Sequence, residues 1–138
     1  MDGPVARQVA QVLRLRTGDH VVLMDNSGYE YVVALQSISP SCIEGAVVEK
    51  RGGFGNPGVL LTLYQGVLKR DKFEMVLQKG TEMGISAFVP MLCHRSVPRA
   101  SKGLAHGKYP RWRTIITEAA EQSGRACIPF LEPPGSLE

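Results

Sequence analysis

Cysteine is scarce in this chain: three in 138 residues, Cys42, Cys93 and Cys127, an odd number set far apart. That pattern matches neither a disulfide framework nor C-x-x-C metal spacing, so structural thiols and no metal site are expected. Long apolar runs are missing as well. No stretch approaches the roughly 18 residues a membrane-crossing helix needs, and Met1-Asp2-Gly3-Pro4 lacks the basic-then-apolar order of a signal peptide. No membrane partner and a cytoplasmic location are the corresponding expectations. What is present is ordinary for a globular protein: 43% hydrophobic and 21% charged residues with a formal net charge of +3, which excludes disordered and collagenous classes.

Acidic residues are absent from one place. Between Arg95 and Arg113 the chain carries Arg95, Arg99, Lys102, Lys108, Arg111 and Arg113 with no Asp or Glu, and His94 and His106 lie alongside. Up to Leu68, five basic residues face six acidic ones; from Lys69 onward, eleven face seven. The basic excess therefore belongs to the second half, and its concentration points toward a polyanion, a solvated basic loop being the alternative.

The hydrophobic period changes along the chain. Val5, Val9, Val12 and Leu13 have helical spacing and predict a short helix over Val5 to Arg16, stopped by Thr17-Gly18-Asp19. His20 to Met24, Tyr29 to Leu35 and Cys42 to Val48 read as three strands, the first two joined by the turn Asp25-Asn26-Ser27-Gly28, and together they describe a small antiparallel sheet or barrel. Gly52-Gly53-Phe54-Gly55-Asn56-Pro57-Gly58 interrupts this grammar as a loop or linker, dividing the chain into 1–58 and 59–138.

Beyond the linker the order becomes β-α-β-α-β. Val59 to Tyr64 is the near-continuous apolar run expected of a strand buried on both faces of a parallel sheet. Asp71 caps a helix with Phe73, Val76, Leu77 and Gly80 on one face and Gly84 as its stop. Ala87 to Leu92 is the next strand. The basic stretch is expected to cross as a loop, and Pro110 to open a second helix with Trp112, Ile115, Ile116, Ala119 and Ala120 inward and Gly124 at its end. Cys127 to Leu131 supplies the last strand before Pro133-Pro134-Gly135. Three strands and two helices are few for such a sheet, so the domain looks cut off.

Four segments, in order, carry a family resemblance: Val12-Leu13-Arg14-Leu15-Arg16-Thr17-Gly18-Asp19; Gln78-Lys79-Gly80-Thr81-Glu82-Met83-Gly84; Arg95-Ser96-Val97; and Arg111-Trp112-Arg113 with Glu118-Ala119-Ala120-Glu121-Gln122-Ser123-Gly124-Arg125. They resemble the bacterial 16S rRNA uridine-N3 methyltransferases of the SPOUT superfamily. The resemblance implies a fold in two parts: a small PUA-like antiparallel β-barrel, its first strand missing, followed by the first half of a SPOUT α/β methyltransferase domain that stops before the cofactor-binding knot. It implies S-adenosylmethionine as the cofactor of the full-length parent and none for this chain, 16S rRNA or the assembled small subunit as partner, and a homodimeric parent. The chain alone is expected to bind RNA weakly and to be inactive. A stand-alone RNA-binding adaptor without a catalytic half is the rival, and a small-molecule-binding α/β domain is a third.

Phosphate contacts supply most of the affinity for RNA and set orientation, which makes Arg95, Arg99, Lys102, Lys108 and Arg111 the first candidates for RNA binding, followed by Arg14 and Arg16. Glu118 and Gln122 at i and i+4, with Arg125 a turn further on, are candidates for lining the active-site cleft, or else a solvated or helix-pairing face. Glu82 is expected to pair with Lys79 or Lys72, and Trp112 to be core rather than a base-stacking surface. No residue is nominated as the catalytic base. Gly52 to Gly58 is not a phosphate loop, because it lacks a following Lys-Ser/Thr and precedes a strand.

Overall fold

The computed structural model describes residues 1, 6, 11, 13–39, 41–53, 58–69, 71–93 and 102–136, with the side chains of 102–106 excepted. Three strands, β1 (His20–Met24), β2 (Tyr29–Ile38) and β3 (Ile43–Gly52), form an antiparallel sheet in the order β1-β2-β3. The β1–β2 turn works because Asn26 and Gly28 take positive φ, 67° and 86°, values open to asparagine and glycine. The β2–β3 ladder is broken twice, between Val32 and Val33 and between Leu35 and Ser37, where one strand gains a residue on the other. Leu35 and Ile43 are almost fully buried with Ala6, and Met1, Leu15, Val21 and Ile38 pack around them. The Met1 ammonium donates to the Ile43 carbonyl at 2.9 Å and the Ile43 amide donates back to Met1, also at 2.9 Å, so the first residue pairs with the start of β3.

The expected N-terminal helix lies mostly outside the described residues. Leu13 to Arg16 are not helical, and Arg14 has φ 53°, a conformation no helix interior contains. β3 runs to Gly52, which pairs with Tyr29, so the first glycine of the expected linker belongs to the sheet; 54–57 lie outside the described residues.

The remaining elements are β4 (Thr62–Gly66), α1 (Asp71–Glu82), β5 (Ala87–Leu92), α2 (Lys102–Gln122), β6 (Phe130–Leu131) and β7 (Gly135–Ser136). β4, β5 and β6 are parallel neighbours in that order, and β7 also pairs with β5. The α/β expectation holds, and its element order is observed. Contacts divide the chain into two compact units, Met1–Gly53 and Phe54–Glu138.

In the second unit the sheet has one face under the helices. Leu63, Phe88 and Leu131 are register partners on that face, and with Val67, Phe73, Leu77, Trp112 and Ile116 they form the core. Phe73 of α1 meets Trp112 of α2 with ring centroids 4.6 Å apart at 53°, a tilted aromatic contact where the helices cross. The other face carries Thr62, Tyr64, Ala87, Val89 and Phe130, and there Tyr64 is 64% and Phe130 61% exposed.

Four boundaries differ from expectation. Val59, Leu60 and Leu61 are exposed and precede β4, which begins at Thr62 and lies at the sheet edge rather than between two covered faces. α2 begins eight residues before Pro110, which sits inside it; Tyr109 packs against the core and donates to the Leu131 carbonyl at 2.6 Å, and this tertiary anchor beside the proline offsets the local cost of a missing donor. The strand expected over Cys127 to Leu131 shrinks to Phe130–Leu131, since Pro129 has no N–H to give a ladder. Past Pro133 and Pro134, which likewise cannot donate, Gly135 re-enters the sheet opposite Met91 as β7.

Candidate functional site

α1 places Glu74 one residue past inward-facing Phe73, and α2 places Arg111 one residue before inward-facing Trp112, so the two polar groups meet at the rim of the helix–helix contact. Arg111 Nε lies 2.9 Å from each Glu74 carboxylate oxygen and Nη2 lies 2.8 Å from Oε2, a fork-like pair. The Glu74 side chain is 13% exposed and that of Arg111 is 68% exposed. The hydrogen bond from Arg111 holds the Glu74 carboxyl below the ordinary glutamate range, against the opposing effect of burial, with Arg111 and Lys108 adding attraction; Glu74 in turn raises the Arg111 pKa. Lys108 and Arg111, two of the five first RNA candidates, therefore share one acidic neighbour. Arg111 keeps an exposed guanidinium edge whose charge is already balanced on one side.

The other candidates scatter. Arg95 and Arg99 lie outside the described residues, as does the side chain of Lys102, whose backbone opens α2 rather than lying in a loop. Arg14 and Arg16 are exposed in the first unit, in the turn held where the Arg16 amide donates to an Asp19 carboxylate oxygen at 2.7 Å. Glu118 and Gln122 are exposed on α2, consistent with either alternative set out for them. Lys79 pairs with Glu82 at 2.7 Å, as the helical spacing predicts.

Arg125 differs from its cleft-lining expectation. It is 5% exposed, and Nη1 donates to the carbonyls of Thr81 at 2.9 Å and Ile85 at 2.6 Å. Gly84, at φ 100°, turns the chain between those carbonyls. The guanidinium thus ties the end of α2 to the end of α1 and the approach to β5. Burial lowers its pKa, and its Nε is buried without an acceptor among the described residues. Sequence spacing offered no sign of this role, because the two acceptors are backbone carbonyls about forty positions away.

A cleft of about 340 Å³ opens where β4, β5 and β7 meet the chain between β6 and β7, lined by Tyr64, Met91, Glu132, Pro133 and their neighbours. Clefts at the carboxyl ends of parallel strands are where α/β sheets take ligands. This one offers a single carboxylate and no glycine-rich loop, so its lining alone does not fit a sulfonium nucleoside. No group of three metal-ligating side chains occurs among the described residues, and no described helix is long and apolar enough to cross a membrane.

An antiparallel sheet unit is followed by a parallel sheet with helices on one face, an arrangement that many functions share, and the comparisons assign the class. Residues 56–138 match the profile of the RNA methyltransferase domain and 8–45 that of the RNA methyltransferase PUA domain, so the chain belongs to the RNA methyltransferase family. Within it, the chain is similar to ribosomal RNA small subunit methyltransferase E of Bacillus subtilis, 34% identical over 92% of this chain and 50% of the relative. The protein of the same name from Synechocystis is 31% identical over 90% of this chain and 39% of its own length. The crystal structure of ribosomal RNA small subunit methyltransferase E from Neisseria gonorrhoeae bound to S-adenosyl methionine superposes with a TM-score of 0.83 at 26% identity, covering 97% of this chain and 55% of that one. The chain spans about half the length of the curated relatives it matches.

Proposed function

We propose that this chain is the RNA-holding module and first half of the catalytic domain of an enzyme that transfers a methyl group from S-adenosylmethionine to N3 of a uridine in small-subunit rRNA. The observation that carries the proposal is the uncovered face of the parallel sheet, in a chain half as long as its relatives. Parallel sheets are covered on both faces, and here Tyr64 and Phe130 stay mostly exposed on one. In the proposal, a further layer over that face holds the cofactor, which is consistent with a cleft that does not by itself fit the nucleoside. In this proposal residues 1–58 hold RNA, 59–138 begin the methyltransferase domain, the complete enzyme is a cytoplasmic homodimer, and the present chain binds RNA weakly and transfers nothing.

Uridine N3 must lose its proton to attack a sulfonium methyl, which requires positioning and a group that takes or stabilises charge. The cationic stretch of 95–113 is suited to orienting the phosphates around the base, with Arg95, Arg99 and Lys102 preceding Lys108 and the Glu74-paired Arg111 in sequence. Fusing this chain to the second half of the Bacillus subtilis relative tests the assignment. Nucleoside mass spectrometry of small-subunit rRNA incubated with the fusion and S-adenosylmethionine is expected to show 3-methyluridine; a different methylated nucleoside contradicts the N3 assignment. Calorimetric titration of the present chain with S-adenosylmethionine is expected to show no binding, and a single micromolar site contradicts the expectation that this chain does not hold the cofactor by itself.

A further inference from the structure

Tyr29 and Tyr31 stand two residues apart on β2, so their rings project from the same side of the sheet. Tyr31 is directly opposite Lys50 of β3, and the Lys50 ammonium sits 4.0 Å from the Tyr29 ring centroid and 5.5 Å from that of Tyr31. On the same side, further along, Val33 and Leu35 enter the core, so the two tyrosines continue the inward face of the sheet past the point where the core ends. Tyr29 is left 45% exposed. The acidic groups of these strands lie on the other side: Glu30 pairs with Arg51 at 2.9 Å, and Glu49 is opposite Val32. At the β1–β2 turn the Asp25 carboxylate accepts from the Ser27 amide at 3.0 Å and from the Ser27 hydroxyl.

We infer that Tyr29, Tyr31 and Lys50 form a base-stacking platform for single-stranded RNA on the first unit, separate from the basic stretch of the second. A lysine on a flexible stem loses much rotamer freedom when ordered, and here two rings hold the ammonium in place before any ligand arrives. Sequence-tolerant single-strand sites combine these two features, a positive group for the backbone and aromatic faces for successive bases. Two neighbouring rings match two successive unpaired bases, and the stacking faces do not depend on the hydroxyls. A duplex keeps its bases stacked and presents none to the rings, so the platform selects unpaired segments. The inference rests on the RNA-binding role proposed above and names the part of the first unit that carries it.

Fluorescence anisotropy of a labelled oligouridylate with the full chain tests it. Tyr29→Ala is expected to weaken binding about 5- to 150-fold, the effect of losing one base stack, while Tyr29→Phe keeps the parent affinity. Lys50→Ala is expected to weaken binding and to lower the slope of log affinity against log salt by about 0.7. Photo-crosslinking of the unsubstituted chain to 5-iodouridine-labelled oligonucleotide, read by peptide mass spectrometry, is independent of any variant's folding and is expected to place adducts on Tyr29 or Tyr31. If the parent binds RNA while Tyr29→Ala and Lys50→Ala bind equally well, or while adducts fall only in the second unit, the platform is overturned and the RNA-binding role stands. If the parent binds no oligouridylate at low salt, both fall; if a duplex competes as well as a single strand, the stacking basis is overturned.

Discussion

Arg125 shows how a single side chain can hold two helices without an acidic partner. Its guanidinium is buried and spends Nη1 on the carbonyls of Thr81 and Ile85, so what it stabilises is a turn, not a charge. Replacing it with Met keeps volume, leaves the Ile85 carbonyl without this donor and the Thr81 carbonyl with only the Gly84 amide at 3.1 Å, and is expected to cost about 1–3 kcal/mol in denaturant unfolding. Lys, a single-point donor on a flexible stem, is expected to recover only part of that loss. Equal stability of the Met variant and the parent contradicts the assignment. Glu74 carries the opposite kind of interaction, a partly exposed ion pair whose value depends on pH. Its folded-state pKa lies below the unfolded one, so the stabilisation is complete above the ordinary glutamate pKa of about 4.3 and is lost as pH falls through the folded value. Thermal melts from pH 7 down to pH 3 are expected to show the parent more stable than Glu74→Gln at neutral pH, with the gap closing in acid; a gap that does not change with pH contradicts the ion-pair account.

At the scale of elements, α1 packs on β5 at Gly80. A Cβ built there lies 2.8 Å from Phe88 Cε1 and 2.9 Å from Cζ, so the buried Phe88 ring or the helix must shift to admit it. Alanine improves helix propensity by up to about 1 kcal/mol, whereas overpacking a buried contact costs about 1–3 kcal/mol, so Gly80→Ala is expected to be neutral or destabilising by chemical denaturation, never stabilising. A clear gain in stability contradicts the close approach. The strands β1 and β5, the helix α1 with its Gly84 stop and the inward set Trp112, Ile116, Ala119 and Ala120 were legible in the sequence, because period, caps and stops are local signals. The start of α2 was not, since Pro110 argues locally for a first-turn position and only the contact from Tyr109 to Leu131 overrides it. Nor was β7, a two-residue strand visible only through its pairing with β5. The apolar run Val59 to Leu61 read as buried because composition cannot tell a covered strand from an uncovered edge. The Lys79–Glu82 pair followed from helical spacing, but the pairing of Arg111 with Glu74 and of Lys50 with Tyr29 depends on elements that pack across long sequence separations, which spacing does not encode.

The whole molecule combines a small sheet whose residues sum close to neutrality with an α/β unit that carries the basic excess, and the proposed role depends on that excess meeting phosphate. Each phosphate neutralised releases counterions and lowers log affinity by about 0.7–0.9 per unit of log salt. If Arg99 and Lys102 contact phosphate rather than the core, alanine at both is expected to leave the melting temperature close to that of the parent while making the salt dependence shallower, since substitutions away from packed features usually change stability by less than about 0.5 kcal/mol. The most direct test of RNA binding by this chain is its affinity for a small-subunit rRNA fragment across a salt series from about 50 to 200 mM. The account predicts measurable binding at low salt that falls along a straight line in log affinity against log salt. Binding that does not change with salt, or none at the lowest concentration, would contradict it.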